Sequence, residues 1–416
     1  MTVHPILAAL RRHKAGVVLI VLQIALTLAI VCNAVFIIGQ RIERLNRPTG
    51  IDESDLLRVS QAWVGAPSGD DAASIEKLDA LQRTDLDTLR SLPDVREVAA
   101  AESLPLQGMI WSGDVTLTPD QKGVAVQAAY YYGDEHLRST LGVHLIAGRD
   151  FNAGEIQHHT IRSTAASPVI IVSKPVADKL FPQGDALGKT VYQDGKREPS
   201  TIVGIVDELQ TPTTDSWGNP FAYNSILEPV RLDGVMASYA VRTQPGREQA
   251  VLHAARKALF AANPMRIMPD SWGTQPFSDI RAKAYRADRG MAILMGVVCL
   301  ILLGVTAAGI VGLTSFWVGQ RHRQIGVRRA LGARRIDILH YFQIENLLIA
   351  GVGVLLGVLL AIGLNLWLMT HYEMERLPVF YVLTGVLAML AIGQGAVFVP
   401  ARRASNVPPV VATRAA

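Results

Sequence analysis

The residues with the most obvious chemical potential stand together in GDALGKT, Gly184 to Thr190. Gly-Lys-Thr is the closing segment of a phosphate-binding loop, whose backbone N–H groups curl around a β-phosphate while the lysine reaches the outer phosphates. That loop requires G-x-x-x-x-G-K-[ST]. Here only Asp185, Ala186 and Leu187 separate Gly184 from Gly188, and the position one earlier is Gln183. A nest one residue short does not close, so spacing speaks against a nucleotide site. His158-His159 supplies two imidazoles, but no Asp, Cys or third His stands at ligand spacing, and no metal site is expected. Neither G-x-S-x-G nor H-E-x-x-H occurs. Trp111 and Tyr130 to Tyr132 could line a peptide or lipid surface, but aromatics in short β runs read better as core. No catalytic constellation emerges.

The elements that position these residues begin with a membrane. Half of the 416 residues are hydrophobic and mean hydropathy is +0.25. Four runs lack Asp, Glu, Lys and Arg altogether: Ala15–Gln40, Gly290–Gln320, Asn346–Tyr372 and Leu377–Ala401. Each exceeds the roughly 20 residues a helix needs to cross about 30 Å of hydrocarbon. The first run is too long for a cleaved signal, and no A-x-A site follows it, so it reads as a retained helix. Cys32, preceded by Val31, is a poor lipidation site.

Orientation follows the Lys and Arg near the helix ends. Arg11, Arg12 and Lys14 precede the first helix, six arginines follow the second, and Arg402, Arg403 and Arg414 follow the last. The HYEMERL turn between the last two helices carries Glu373, Glu375 and a single arginine. Both termini and the arginine-rich loop are therefore expected in the cytoplasm, with the large polar segment outside. GDALGKT falls in that outer segment, where ATP is scarce. The only cysteines, Cys32 and Cys299, lie in membrane runs, so the outer fold relies on burial rather than disulfides. The basic pI of about 9.1 reflects the cytoplasmic arginines, and no soluble face interleaves basic and aromatic residues as nucleic-acid binding requires.

The outer segment divides by pattern. DLLRVSQAWV alternates as a strand, Ile75 to Leu92 has helical apolar spacing, and PDVREVAAAE restarts a strand. The middle is a series of short β runs broken by Gly and Pro: VTLT, VAVQAAYYY, VIIVS and TVYQDG. STIVGIVDEL and MASYAVRT then read as strands, and GREQAVLHAARKALFAANP as a helix ending at Asn263. Two α+β subdomains are expected, one built from both ends and one from the middle. No proline occurs between Pro276 and Pro378, so helix is expected from near Ser278 to Gln320. That is about 65 Å of rod, twice what the bilayer uses, and the excess would form a stalk. GQRIERLNRP can extend the first helix similarly. Gln23, Asn33, Asn365 and Gln394, inside membrane runs, are expected to hydrogen-bond neighbouring helices.

GQRHRQIGVRRALGARRIDILHYFQIEN follows the second membrane run. Positive-inside topology accounts for Arg321, Arg323, Arg328, Arg329, Arg334 and Arg335. It does not account for Ile325, Val327, Ala330 and Leu331 threaded among them, nor for Gly326 and Gly332. Apolar residues at helical spacing in a short exposed segment also suit a helix that docks on another protein. On the residues alone both readings stand.

RHRQIGVRRALGA resembles the hallmark loop of the FtsX/MacB family of ABC-transporter permeases, R-x-x-E-I-G-[IV]-R-[RK]-A-[LI]-G-A. VPARRASNVPPVVATRA is similar to that family's closing segment. HLIAGRDF and PVIIVSKPVADKLFPQGDALGKTV resemble motifs of its periplasmic core, which makes GDALGKT a turn-and-strand element with Gly184 and Gly188 in tight turns. The resemblance implies a four-helix permease that dimerises and docks on a cytoplasmic ABC ATPase, with ATP and Mg bound by that partner and no cofactor in this chain. Docking would use Arg321, Arg323, Gln324, Ile325, Gly326, Val327, Arg328, Arg329, Ala330, Leu331, Gly332 and Ala333. Gln324 replaces the family's usual Glu, removing a charge from that contact. Only about 14 residues precede the first helix, so the ATPase is expected as a separate polypeptide. ATPase closure would pass up the helices to the outer domain, a mechanism called mechanotransmission.

The expected fold is an α-helical membrane protein with four transmembrane helices and a large α+β extracytoplasmic domain inserted between helices 1 and 2. In order, the chain has a cytoplasmic segment (1–15), helix 1 (16–40) and a MacB-like core (41–285). Within that core, a porter-like part spans 50–105 and 200–275, and a β-rich insert spans 106–199. Helix 2 with its stalk (286–319), the coupling loop (320–345), helix 3 (346–370), a short outer loop (371–377), helix 4 (378–399) and a cytoplasmic tail (400–416) complete it. The resemblance points to the bacterial inner membrane, a second permease copy or paralogue, and a periplasmic adaptor and outer-membrane channel as further partners. The implied task is efflux of an antimicrobial peptide, antibiotic or toxin. Alternatives are lipoprotein or lipid extraction, as in the Lol relatives, and FtsX-like regulation of a periplasmic cell-wall hydrolase. The combined substitution Gly326→Glu and Leu331→Asp is expected to uncouple the ATPase and leave the permease folded. Single-cysteine accessibility labelling should protect position 323 and label position 185 from outside intact cells; equal labelling of both would overturn the topology.

Overall fold

The computed structural model describes residues 14–406, apart from 70, 121, 122, 124, 161, 162, 164, 373 and 374. Arg11, Arg12, Glu373, Arg414 and the part of the closing motif beyond residue 406 lie outside the described residues. The chain divides into two compact units, one of Met1–Asn46 with Ala287–Ala416 and the other of Arg47–Arg286.

Helix α1 (Lys14–Leu45) opens the first unit. The second unit then runs β1 (Leu56–Trp63), α2 (Ala72–Arg90), β2 (Val95–Ala100), β3 (Trp111–Thr116), β4 (Ala125–Gly133) and α3 (Leu137–Leu141). It continues through β5 (Leu145–Gly148), β6 (Gln157–His159), β7 (Val169–Ser173), α4 (Lys174–Leu180), β8 (Thr190–Gln193), β9 (Ser200–Val206) and β10 (Ser225–Leu232). It closes with β11 (Met236–Thr243), α5 (Glu248–Ala262), β12 (Arg266–Ile267), β13 (Thr274–Pro276) and α6 (Phe277–Ala284).

One sheet of this unit has the order β12-β1-β11-β2, with β13 also on β1, and every pairing is antiparallel. Leu57, Val59, Val98, Tyr239 and Val241 alternate along its strands and pack against Leu78, Leu86 and Leu89 of α2 and Val251, Ala255 and Leu259 of α5. Both helices bury residues three or four apart, as a helix lying on a sheet must. Asp71 starts α2 by accepting the Ser74 N–H at 3.0 Å.

The other sheet runs β4-β3-β8-β9-β7-β10-β6, and a parallel β4–β10 pairing closes six of these strands into a ring. Its core holds Val115, Val126, Tyr130, Ile170, Val172, Val191, Ile202 and Ile226. Here the structure corrects the expected boundary. STIVGIVDEL contributes β9, which pairs with β7 and β8 rather than with the porter-like sheet. β10 also lies in the ring, so the porter-like part resumes at Met236 and not at 200. Alternation reports a half-buried strand and is silent on which sheet it joins.

The first unit resumes with α7 (Arg286–Gln320), α8 (His322–Ala330), α9 (Arg335–Tyr372) and α10 (Val379–Ser405). α1, α7, α9 and α10 are long and apolar enough to cross a membrane. The continuous rod expected from Ser278 is interrupted: α6 ends at Ala284 and Tyr285 leaves the helical conformation. Tyr285 is buried, and its hydroxyl accepts a hydrogen bond from Gln210 Nε2 at 3.0 Å, which holds the break within the second unit.

Lipid tails are as apolar as leucine, so helices associate in a bilayer through close packing and hydrogen bonds. Along α1, Ile20, Ile24, Leu28, Cys32 and Phe36 form the buried stripe. Gly353 and Gly357 of α9 face it so closely that a Cβ would lie 2.9 Å from Ile24 and 3.0 Å from Leu28. The membrane amides behave largely as expected: Gln23 reaches Val305 O at 3.0 Å, and Asn33 reaches Ala361 O at 3.1 Å. Asn365 instead accepts the Leu377 N–H at 2.9 Å, pinning the turn before α10. Beyond the apolar runs, Arg41 and Arg44 of α1 meet Asp288 of α7 at 2.5 and 3.8 Å.

The β-rich unit buries ionisable groups at two telling places. Arg266 and Asp85, both fully buried, form a two-point pair at 2.9 and 3.0 Å, and Gln61 and Tyr239 also hydrogen-bond the same carboxylate. Asp85→Ala strands a buried guanidinium and should cost about 3 to 5 kcal/mol in urea unfolding of the detergent-solubilised chain. Glu102 sits where the two sheets meet, its N–H on Tyr132 O at 3.1 Å beside the Ala101–Gly133 bridge. Burial pushes its carboxyl up to about 7, with the Arg58 guanidinium pulling the other way. The folded state thus holds this proton more tightly than the unfolded chain does. The resulting stability is present below the ordinary carboxylate range and is lost as pH rises through 7. Between pH 4.5 and 8 the loss should be roughly 2 to 3 kcal/mol, and Glu102→Gln should flatten that slope in denaturation curves.

Candidate functional site

GDALGKT does not build a phosphate nest. It links α4 to β8, with Gly184 and Gly188 at φ of +82° and +76° as the tight turns require. The Gly188 N–H is already committed to Ile202 O at 2.8 Å, and Lys189 pairs with Asp185 at 3.3 Å. Trp111 and Tyr132 pack edge-on at 6.4 Å against the ring's core, while Tyr130 and Tyr131 are buried.

His158 finds the ligand-type neighbours that local spacing could not reveal. Asp79 of α2 and Asp233, just after β10, bring their carboxylates to the His158 ring, all ligand atoms lying within 4.8 Å. Arg231 enters the same cluster: it bonds Asp79, and its Nη2 lies 3.1 Å from His158 Nε2. A guanidinium only donates, so Nε2 is the acceptor and Nδ1–H faces Asp233 Oδ2 at 3.1 Å. Arg231 already supplies the positive charge the carboxylates require. The cluster is an ion network joining α2 to β6 and β10.

The arginine-rich segment is where side chains converge without an internal structural need for all of them. α7 ends at Gln320, Arg321 leaves the helical conformation, α8 follows as a nine-residue helix, and the chain turns through Gly332 at φ +99° into α9. Asp337 caps α9 by accepting the Arg334 N–H at 2.9 Å. The expected loop 320–345 is therefore two helical pieces around one turn, and the third membrane helix begins at Arg335 rather than 346.

The faces of α8 differ. Ile325 is buried with Ile338, Phe342, Ala401 and Ala404, and Gly326 is buried beside it. Both therefore face their own bundle, and α8 presents neither of them outward. A carboxylate at 326 would enter a buried position, so Gly326→Glu bears on the fold as well as on the coupling expected of it above. Outward stand Val327, 46 % exposed, and Leu331, 83 % exposed, with Arg323, Gln324, Ala330, Gly332 and Arg335 also exposed. Ala333 is half-buried.

The arginines divide likewise. Arg321 is largely buried and grips both oxygens of Glu345 at 2.8 and 3.0 Å, and that carboxylate is buried too. Arg328 stacks its guanidinium 5.1 Å from the centre of the Tyr341 ring. Arg329 donates to the Ser405 carbonyl at the end of α10. A cavity of about 70 Å3 lies beneath, bounded by Gln324, Ile325, Arg328, Asp337, Tyr341 and Phe342. Glu345, Tyr341 and Ser405 were missed in the sequence reading; the one available signal was a lone carboxylate entering an uncharged run.

Residues 18–258 match the description "MacB-like periplasmic core domain", and residues 296–409 match "FtsX-like permease C-terminal". The macrolide export ATP-binding/permease protein MacB of Neisseria gonorrhoeae is 25 % identical over 325 residues, 77 % of this chain and 48 % of that protein. MacB of Campylobacter jejuni is 28 % identical over 345 residues, 80 % of this chain and 49 % of the relative. The chain thus spans about half the length of these curated relatives. The crystal structure of the periplasmic region of MacB from Actinobacillus actinomycetemcomitans is 13 % identical, with a TM-score of 0.33 over 58 % of this chain and 97 % of that one. Two family descriptions in sequence order, over a chain with four membrane-capable helices and an intervening α+β unit, place it: this chain belongs to the MacB/FtsX family of ABC-transporter permeases.

Proposed function

We propose that this chain is the non-catalytic membrane subunit of a MacB-like exporter in the inner membrane of a bacterium. Both termini and α8 face the cytoplasm, and the β-rich unit is periplasmic. ATP and Mg2+ are held by a separate ABC ATPase that bears on α8. A second permease copy or paralogue completes the transporter, and a periplasmic adaptor and outer-membrane channel extend it. ATPase closure moves the helices and the outer unit in turn, driving efflux of an antimicrobial peptide, antibiotic or toxin.

The observation that carries this reading is the outward face of α8. Val327 and Leu331 are exposed, as is Arg323 one turn before Val327, on a short helix that buries Ile325 and Gly326 in its own unit. Apolar anchors ringed by charge are what a protein partner recognises, and water gives no reason for them. Export is the activity named in the MacB relatives above.

Val327→Asp with Leu331→Asp tests this without touching the buried positions. The variant should elute like wild type in detergent while recovery of the co-purifying ATPase falls on the order of tenfold or more. Undiminished recovery would remove α8 as the docking element. The proteins recovered with wild type separate the efflux reading from its rivals: an adaptor supports efflux, a bound lipoprotein supports extraction, and a cell-wall hydrolase supports regulation.

A further inference from the structure

Resting on that reading, we infer that Arg321 and Arg329 are positioning residues that clamp α8 to α9 and α10, and that the partner is met by Arg323 and Arg335 instead. Docking and force transfer are then carried by different arginines of one short segment.

The geometry separates the two sets. Arg321 gives Glu345 its only cation among the described residues, at 2.8 Å, with both side chains largely out of reach of solvent. Were Arg321 to turn toward a partner, Glu345 would be left buried without its cation, which folded proteins avoid. Arg329 reaches the carbonyl of Ser405, one of the last carbonyls of α10, which that helix cannot satisfy internally. A cation there also sits at the negative end of the helix dipole. Between these two ties Ile325 is wedged against both neighbours, packed with Ile338 and Phe342 of α9 and Ala401 and Ala404 of α10. α8 is therefore held at its start to α9 and near its end to α10. Arg323 lies one turn before Val327 on the exposed face of α8, and Arg335, at the start of α9, is exposed too.

A helix joined to the bundle only through its covalent ends would absorb a push by tilting. One tied to two further helices hands the displacement to them. Arg329→Gln should thus leave partner affinity nearly intact and lose transmission, whereas Arg323→Ala with Arg335→Ala should do the reverse.

Two measurements test this on the full chain in nanodiscs. In the permease alone, amide hydrogen exchange across residues 325–330 should quicken at least tenfold in Arg329→Gln and change less than twofold in Arg323→Ala/Arg335→Ala. With the ATPase that co-purifies with wild type, Arg329→Gln should keep its affinity within about threefold and lose at least tenfold of the permease-stimulated ATP hydrolysis. The Arg323/Arg335 pair should weaken affinity about tenfold, more at low than at high salt, and keep the hydrolysis per bound complex. Arg321→Met with Glu345→Met, which removes both buried charges together, provides a folded control for the other tie and should quicken exchange at 322–326. Unaltered exchange in Arg329→Gln overturns the clamp whether or not an ATPase is recovered. Affinity and hydrolysis falling in parallel in Arg329→Gln would return Arg329 to the docking surface. Failure of wild type to recover any ATPase would count against the proposed function, while the exchange result still decides the clamp.

Discussion

A carboxylate kept from water has to be answered by a cation, and that requirement shapes the arginine-bearing end of the helical unit. Glu345 lies one position before the third uncharged run, where solvation is poor. Arg321 is its answer, and holding it there fixes where α7 stops and α8 begins. The start of α8 in turn sets Ile325 inward and Leu331 outward, since positions four and ten residues beyond Arg321 fall on different sides of a helix. One buried ion pair thus marks which side of this segment is surface.

The β-rich unit obeys the same rule in a different solvent. Its first sheet carries a buried pair, Arg266 with Asp85, and Gln61 and Tyr239 complete the carboxylate's shell. Its two sheets meet along charged seams as well, with Arg231 answering Asp79 and Arg90 lying 3.5 Å from Asp134. The seams select one mutual arrangement of helix α2 and the ring, since a slip would leave Asp233 or Asp134 buried without its partner. Apolar burial supplies the bulk of the cohesion here, and the ion pairs supply the register.

Membrane helices were legible in the sequence because their signal is length plus absence of charge, and both are local. Helices α2 and α5 were legible for a similar reason: apolar spacing and end signals lie within the segment itself. Allocation of β9 and β10 was not, because a strand's partner is set by chain closure far away, Ile226 against Tyr130 for instance. The rod breaks at Tyr285, whose buried hydroxyl bonds Gln210, a residue 75 positions earlier and outside any local pattern. In the arginine-rich segment the family motif was readable, and which of its arginines turn inward was not. An arginine serves a buried carboxylate, a helix end or a foreign surface equally well, and only packing tells which. His158 shows the converse: its carboxylate neighbours come from α2 and from the end of β10, beyond any spacing rule.

Gly353 and Gly357 leave no room on α9 for even one added carbon against α1. An alanine methyl at 353 would push on Ile24, and one at 357 would press on Ala25 O and Leu28, so the missing side chains of these two glycines set how near the two helix axes can come.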